Sequence, residues 1–433
     1  MTVVQVFPLT YQSQGITFAT WITLFTLCLA PLVAHIVAGV PQPSFLCSHS
    51  PKWHERICHY NPTSIIWRYA MITDRRIRAK SWDREDIAAS NALFWTSRGW
   101  DGSEAMVTAG LAYCTRLPDH ARVAIFSQEM IKTIIVTLQG IQALIPLISG
   151  LSTSHASDSF VQWMAVDTIF FPLSILGLFR LCCAAWLTED FLYSISQVVR
   201  RGPTPANSAN ETRTSFENFL DEPLPSDANQ NRFRPTTFWA SIVFRVVYLL
   251  PILAMSTTCI LYLGPWTAKD ITSPISNGLT MTSFLLALSY LLFISTTAIV
   301  CAYYFARGHT TTVIPCISFL WYKAYTVVVI GLGIALIVIS CMETRKTPCG
   351  IYTSGSGEVA DIDACLDENT TVVPVGPGKS HFGLASTRWD RHDGNETSLE
   401  PHQFSVFNFT GTCLGIVNAT AAQLVKSLHD DKA

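Results

Sequence analysis

The sequence predicts an all-α polytopic membrane protein with six transmembrane helices, its N-terminus and C-terminus both outside the cytosol. Three observations carry that expectation. Of 433 residues, 14% are charged and 49% hydrophobic, and mean hydropathy is +0.31, whereas soluble domains run near about 25% charged. A bilayer core requires about 20 mostly apolar residues per helix, and six stretches qualify: 16–40, 130–151, 160–187, 238–264, 279–306 and 313–341. The third observation is an agreement between two unrelated signals of sidedness, basic residues in the loops and N-glycosylation acceptors in the tail.

In chain order, residues 1–15 form a short outer N-terminus without Lys or Arg. The first span, GITFATWITLFTLCLAPLVAHIVAGV, has no basic segment before it and no clear small-residue cleavage site after it, so it reads as an anchor rather than a removed signal peptide. Lys and Arg concentrate in cytosolic loops. Segment 41–127 carries Lys52, Arg56, Arg68, Arg75, Arg76, Arg78, Lys80, Arg84, Arg98, Arg116 and Arg122. Segment 188–237 carries Arg200, Arg201, Arg213, Arg232 and Arg234, and the 307–312 turn has Arg307. On the other side, 151–159 has none and 265–278 has Lys269 alone. This places both long loops in the cytosol and the 342–433 tail outside, against the minor dissent of Arg345 and Lys346.

That tail tests the orientation independently. Its asparagines, Asn369, Asn395, Asn408 and Asn418, each begin an N-x-[ST] acceptor. Elsewhere only Asn210 qualifies, because Pro62 blocks Asn61. The tail is therefore expected to carry N-glycans. An oxidising compartment would favour one disulfide among Cys349, Cys365 and Cys413, and the odd count leaves the pair unassigned.

Residues 41–129 read as a cytosolic helical cap. Asp83 leads a helix through DREDIAASNALFW, Ser103 caps a second over EAMVTAGLAYCTR, and a third runs from Asp119 into the second span. Trp53, Trp67, Trp82, Trp95 and Trp100 suggest rings at headgroup depth. Residues 188–237 begin as an amphipathic helix continuing the third span and become a Pro-, Asn- and Ser-rich disordered linker, with 202–235 the candidate docking site for a cytosolic protein partner.

Candidate chemistry is sparse. Cys47, His49, His54, Cys58 and His59 gather soft and imidazole ligands of the kind that hold Zn²⁺, without a C-x₂-C anchor. The cytosolic histidines, adding His120 and His309, are too few for the clustered sites of membrane di-iron oxygenases, which they resemble only in outline. Inside the spans, Arg180, Arg245, Lys132 and Lys323 fall toward cytosolic ends, where they are expected to snorkel to headgroups as anchors. Asp167 lies deeper, in FVQWMAVDTIFF, and is expected to face Gln139 or Gln142 in the bundle; His35 is a further intramembrane polar group. Gly331, Gly333 and Ala335 offer the sixth span a small-residue face for close helix packing.

No nucleotide-binding, nucleophile-elbow or metalloprotease motif is present. A net charge of −2 gives no reason to expect a nucleic-acid partner. The sequence therefore favours a non-catalytic membrane glycoprotein of the secretory pathway or cell surface: a sensor, scaffold or accessory component embedded in the lipid bilayer. A transporter or channel using Asp167 is the first alternative, and a membrane-bound enzyme or pathway accessory at the cytosolic face the second. The plasma membrane is the default location and the endoplasmic reticulum the alternative.

Overall fold

The computed structural model of the chain describes residues 6–47, 49–152, 164–194, 232–263, 279–347, 350–356, 370–375, 387–388, 402–403 and 413–418. The α-helices in chain order are α1 (Phe18–Gly39), α2 (Trp53–Arg56), α3 (Pro62–Arg78), α4 (Arg84–Asn91), α5 (Met106–Ala109), α6 (Gln128–Ser152), α7 (Ile175–Cys183), α8 (Trp239–Leu263), α9 (Met281–Ala306) and α10 (Leu320–Glu343). Among the described residues α1, α8, α9 and α10 are long and apolar enough to cross a membrane. Their outer faces stay apolar, with Phe18 80% exposed at one end and Leu320 83% exposed at the other, as expected of helices solvated by lipid. α6 occupies the stretch expected to form the second span.

The third expected span, 160–187, is not one continuous helix. Residues 164–165 have no regular secondary structure, 166–170 form turns, and a 3₁₀ turn (Phe171–Ser174) precedes α7. Pro172, which lacks an amide hydrogen, sits in that first turn, where helices tolerate it. The stretch expected as the sixth span becomes helical at Leu320 rather than at 313. Val313, Ile314, Cys316 and Ile317 instead form a buried turn before it.

The cap is more than a set of short helices. Strand β1 (Pro43–Phe45) pairs in parallel with β2 (Leu93–Thr96), which pairs antiparallel with β3 (Gly99–Asp101), setting Trp95 opposite Trp100. Gly99 closes this hairpin at φ +105°, a conformation only glycine adopts without strain. The helix expected over 104–116 shortens to α5 and a 3₁₀ turn, and the chain then enters β4 (Cys114–Arg116). β4 pairs with β5 (Leu192–Tyr193), so the amphipathic helix expected from residue 188 is a strand there; its continuation past 194 lies outside the described residues. α6 starts at Gln128, not Asp119. Trp67 is fully buried and Trp95 is 7% exposed, so both are core residues rather than headgroup anchors, while Trp53 is exposed. Most of the linker lies outside the described residues. Its last part is docked: the Arg234 amide donates to the Arg78 carbonyl at 2.7 Å, and the Lys80 amide to the Arg232 carbonyl at 3.0 Å.

The central element is α3. Asn61 caps it, accepting the Thr63 amide at 2.9 Å, and Pro62 occupies its first position, where no hydrogen bond is lost. Every residue from Pro62 through Arg75 is buried. α3 threads among α7, α8 and α9, with Trp67 stacked on Phe305 at 5.3 Å.

The far end of the bundle is tied separately. The Phe7 amide donates to the Leu279 carbonyl and the Gln12 amide to the Met342 carbonyl. Gln12 Nε2 donates to the carbonyls of Glu343 and Ser354. The Glu343 carboxylate accepts the Thr282 amide at 2.8 Å and its hydroxyl at 2.7 Å, an acid at the N-terminus of α9 where the helix dipole favours it. The tail follows with the paired strands β6 (Arg345–Lys346) and β7 (Tyr352–Thr353). Beyond them β8 (Thr370–Val375) pairs with β11 (Cys413–Asn418), and β9 (Thr387–Arg388) with β10 (His402–Gln403).

Candidate functional site: a buried polar joint and an apolar cavity

α3 carries two features, one toward each end. Its later turns hold a buried polar joint. A helix leaves its last four carbonyls without intrahelical donors and carries about half a negative charge there. α1 and α9 both end at the cap, and arginines satisfy them. Arg68 Nη1 donates to the Gly39 carbonyl at 2.7 Å, and Arg180 Nη1 to that of Ala38. Arg245 donates to the carbonyls of Phe305 and His309, both at 3.2 Å. The same Arg245 meets the Asp74 carboxylate at 2.8 Å, Arg78 meets it at 2.9 Å, and Ser241 donates to it. Arg78 also pairs with Glu104, and Arg180 with Glu129. Burial alone would raise the Asp74 carboxyl, but Arg245, Arg78 and the Ser241 hydroxyl outweigh it and hold it below its ordinary range.

Arg180 and Arg245 therefore do not snorkel to headgroups. Their guanidinium groups are drawn inward because carbonyls and carboxylates there replace water more completely than an interface would. Lys132 pairs with Glu129 and Glu189, and Lys323 with Glu55.

The first turn of α3 is held by hydroxyls. Asn61 Nδ2 donates to Thr326 Oγ1 at 2.9 Å, Thr63 shares a hydrogen bond with Thr297 at 2.8 Å, and Ser64 shares one with Tyr322 at 2.7 Å. Against this turn lies a cavity of about 320 Å³ between α1, α9 and α10. Its walls are almost wholly apolar, including Leu32, Ile36, Phe170, Phe293, Ile334 and Leu336. Polar groups reach it from Tyr60, Asn61, Thr326, Ser289 and Tyr290. Small-molecule sites run from about 300 to 1,000 Å³ with this lining, apolar walls and a few polar groups that orient the ligand.

Gly333 belongs to that wall. A Cβ added at Gly331 or Gly333 would meet nothing within 4 Å, so the small-residue face of α10 does not mediate close helix packing. Close approach occurs instead at Gly177, where a Cβ would fall 2.2 Å from the Val136 carbonyl oxygen, bringing α7 against α6.

The other residues singled out by sequence are dispersed. Cys47 and His49 lie together, with Sγ 3.9 Å from Nε2. Cys58 donates to the His54 carbonyl, and His59 stands edge-on to Trp100 at 4.3 Å. Among the described residues no group of three or more such ligands could hold a metal, so the candidate zinc set is not assembled. Asp167 lies in the 166–170 turn rather than on a helix, and its Oδ1 has no partner among the described residues. Gln139 Oε1 is likewise buried and unpartnered, and Gln142 is exposed, so the expected contact with Asp167 is not formed by either among the described residues. His35 is buried with both ring nitrogens unpartnered. Asn369, Asn395, Asn408, Cys349 and Cys365 lie outside the described residues, while Cys413 and Asn418 are the ends of β11.

The joint was missed in sequence because Asp74 and its arginines look like part of a solvated cap. One signal was present: PTSIIWRYAMIT carries a single charge over 62–73, and an apolar run of that length favours a buried core helix. The chain matches no known protein family, no curated protein and no solved structure.

Proposed function

We propose that the protein is a non-catalytic, multi-pass membrane glycoprotein of the secretory pathway or cell surface, a sensor or accessory component that takes a lipid-like apolar molecule into the bundle. The observation that carries this reading is the cavity against the first turn of α3, of ligand size and with apolar walls. An acyl or polyprenyl chain suits those walls, and the hydroxyls of Tyr60, Ser289 and Thr326 suit a weakly polar head. Because Asn61 both lines the cavity and caps α3, an occupant would bear on the element that holds the cap. In this reading the cap faces the cytosol and the glycosylated tail lies outside, supported by the distribution of Lys and Arg and by the four acceptor motifs of the tail.

The test is extraction and mass spectrometry of lipid retained by the protein after purification in mild detergent, beside Gly333→Leu. A Cβ added at Gly333 meets nothing within 4 Å, so a leucine there has room to start into the cavity. A lipid retained by the native chain and lost from the folded variant supports the proposal; equal retention by both, or none by either, removes it. Digestion with endoglycosidase H and with peptide N-glycosidase tests the tail: an unchanged gel position after both would undo the orientation, and resistance to the first alone would mean passage through the Golgi.

A transporter is the second reading, favoured by Asp167. An unpartnered acidic oxygen in a break of an otherwise apolar segment resembles the discontinuous helices that form ion sites in transporters. Reconstituted into vesicles, the native chain should then move protons or cations, and Asp167→Asn should abolish that flux; native vesicles without flux would dismiss this reading.

A further inference from the structure

On α6, Ile131, Ile135, Leu138, Gln142 and Ile145 follow one another at spacings of 4, 3, 4 and 3 residues. That alternation is the one by which two helices pack as a left-handed pair. The four apolar members are each at least half exposed, and Gln142 is exposed with them. At a rise of about 1.5 Å per residue, Gln142 stands about 15 Å beyond Lys132, whose ion pairs with Glu129 and Glu189 mark the cap end of the helix. In a hydrocarbon core about 30 Å thick, this is the middle.

A carboxamide at that depth needs a partner, and lipid tails supply none. Exposed hydroxyls on other helices satisfy themselves. Thr23 and Thr26 of α1 donate to the carbonyls of Ala19 and Ile22, and Thr257 and Thr258 of α8 to those of Leu253 and Ala254. Gln142, by contrast, has no side-chain hydrogen bond to a described residue. Its backbone adds to the demand, because Pro146 lacks the amide hydrogen that would close the helical bond to the Gln142 carbonyl. One exposed position thus holds both a carboxamide and a carbonyl without their ordinary donors and acceptors among the described residues.

We propose that this face of α6 is the interface between two copies of the chain, paired about a two-fold axis with their Gln142 carboxamides hydrogen-bonded to each other. A carboxamide both donates and accepts, so it is its own complement where a two-fold axis sets a residue against itself. The isoleucines and leucine alone leave the register open. A single polar group in such a seam fixes it, since every shifted pairing returns the amide to hydrocarbon. The inference rests on the reading of α6 as the second span. It is independent of what the cavity holds, because none of these five residues lines it.

Energy transfer between two fluorescent tags, in phosphatidylcholine vesicles at graded protein-to-lipid ratios, reads the association. The native chain should show transfer above that of random encounter. Gln142→Leu should need about 10-fold more protein in the bilayer to reach half of it, the size expected of interhelical amide hydrogen bonds. Gln142→Asn keeps an amide in the seam and should fall between the two. Mild oxidation locates the contact: Leu138→Cys should cross-link two copies, and Leu250→Cys, on the exposed face of α8, should do so no more than the native chain. Native transfer no greater than chance overturns the proposal, and so does a curve for folded Gln142→Leu that superimposes on the native one. If Gln142→Leu does not fold, absence of the Leu138→Cys cross-link overturns it alone. None of these results bears on the cavity, whose occupant is read by lipid extraction.

Discussion

The cap end and the middle of the bundle solve opposite problems. At the cap end, Asp74, Arg78, Arg180 and Arg245 are all 5% exposed or less, and each is held by carboxylates, hydroxyls or helix-terminal carbonyls. In the middle, α1, α9 and α10 line about 320 Å³ of apolar space, and a Cβ added at Gly333 in its wall would meet nothing within 4 Å. Lipid tails are as apolar as leucine, so burying apolar side chains between helices gains little in a bilayer. Polar satisfaction at helix ends can therefore fix how this bundle is assembled, leaving the middle free to hold a ligand.

If so, damage at the joint should far exceed damage at the cavity. Asp74→Asn keeps the shape of the side chain but leaves Arg78 and Arg245 facing a neutral group, and should cost about 3–5 kcal/mol. In detergent this would appear as collapse of the monodisperse species or a large drop in Tm; a shift below about 1 °C would break the comparison. Because the folded Asp74 carboxyl is held low, its contribution is fully present above the carboxylate's unfolded value and is lost as pH falls through the folded one.

Glycines give the next contrast. Gly177→Ala forces a Cβ into the Val136 carbonyl and should cost about 1–3 kcal/mol. Gly333→Ala meets nothing and should stabilise α10 by up to about 1 kcal/mol through helix propensity. Equal effects at the two positions, read as Tm in the same detergent, would mean that the two interfaces are packed alike.

Legibility in the sequence follows the same division. The apolar stretches behind α1, α8 and α9 were readable almost to their ends, because length and hydrophobicity alone determine a lipid-facing helix. α10 was readable except for its start, where Val313, Ile314, Cys316 and Ile317 are apolar because they are buried in protein rather than in lipid. The third stretch failed for a related reason: hydrophobicity cannot distinguish a spanning helix from a turn-and-helix segment enclosed by neighbours. The joint was least legible. Position correctly placed Arg180 and Arg245 near the cap, but snorkelling and inward capping make the same demand on sequence. Only the partners separate them, and Asp74 is 171 residues from Arg245. The glycine pattern misled because close approach depends on the facing backbone, which a G-x-G spacing does not reveal.

The smallest effect sharpens the boundary between the two regions. His59 belongs to the cap side by contact, edge-on to Trp100 and beside Arg68, yet it is only 7% exposed. Burial and Arg68 hold its folded value near about 3 against an ordinary 6.5. Acidification below about 6.5 therefore protonates the unfolded chain but not the native one, so stability falls with pH from that point down toward the folded value. Between about pH 7 and 5.5, above most carboxylate titrations, His59 should account for about 1 kcal/mol of lost stability. His59→Phe should flatten the pH dependence of Tm by that amount while other histidines keep their share. An unaltered slope in the variant would mean that water reaches His59, and the joint would then end short of the α1 terminus.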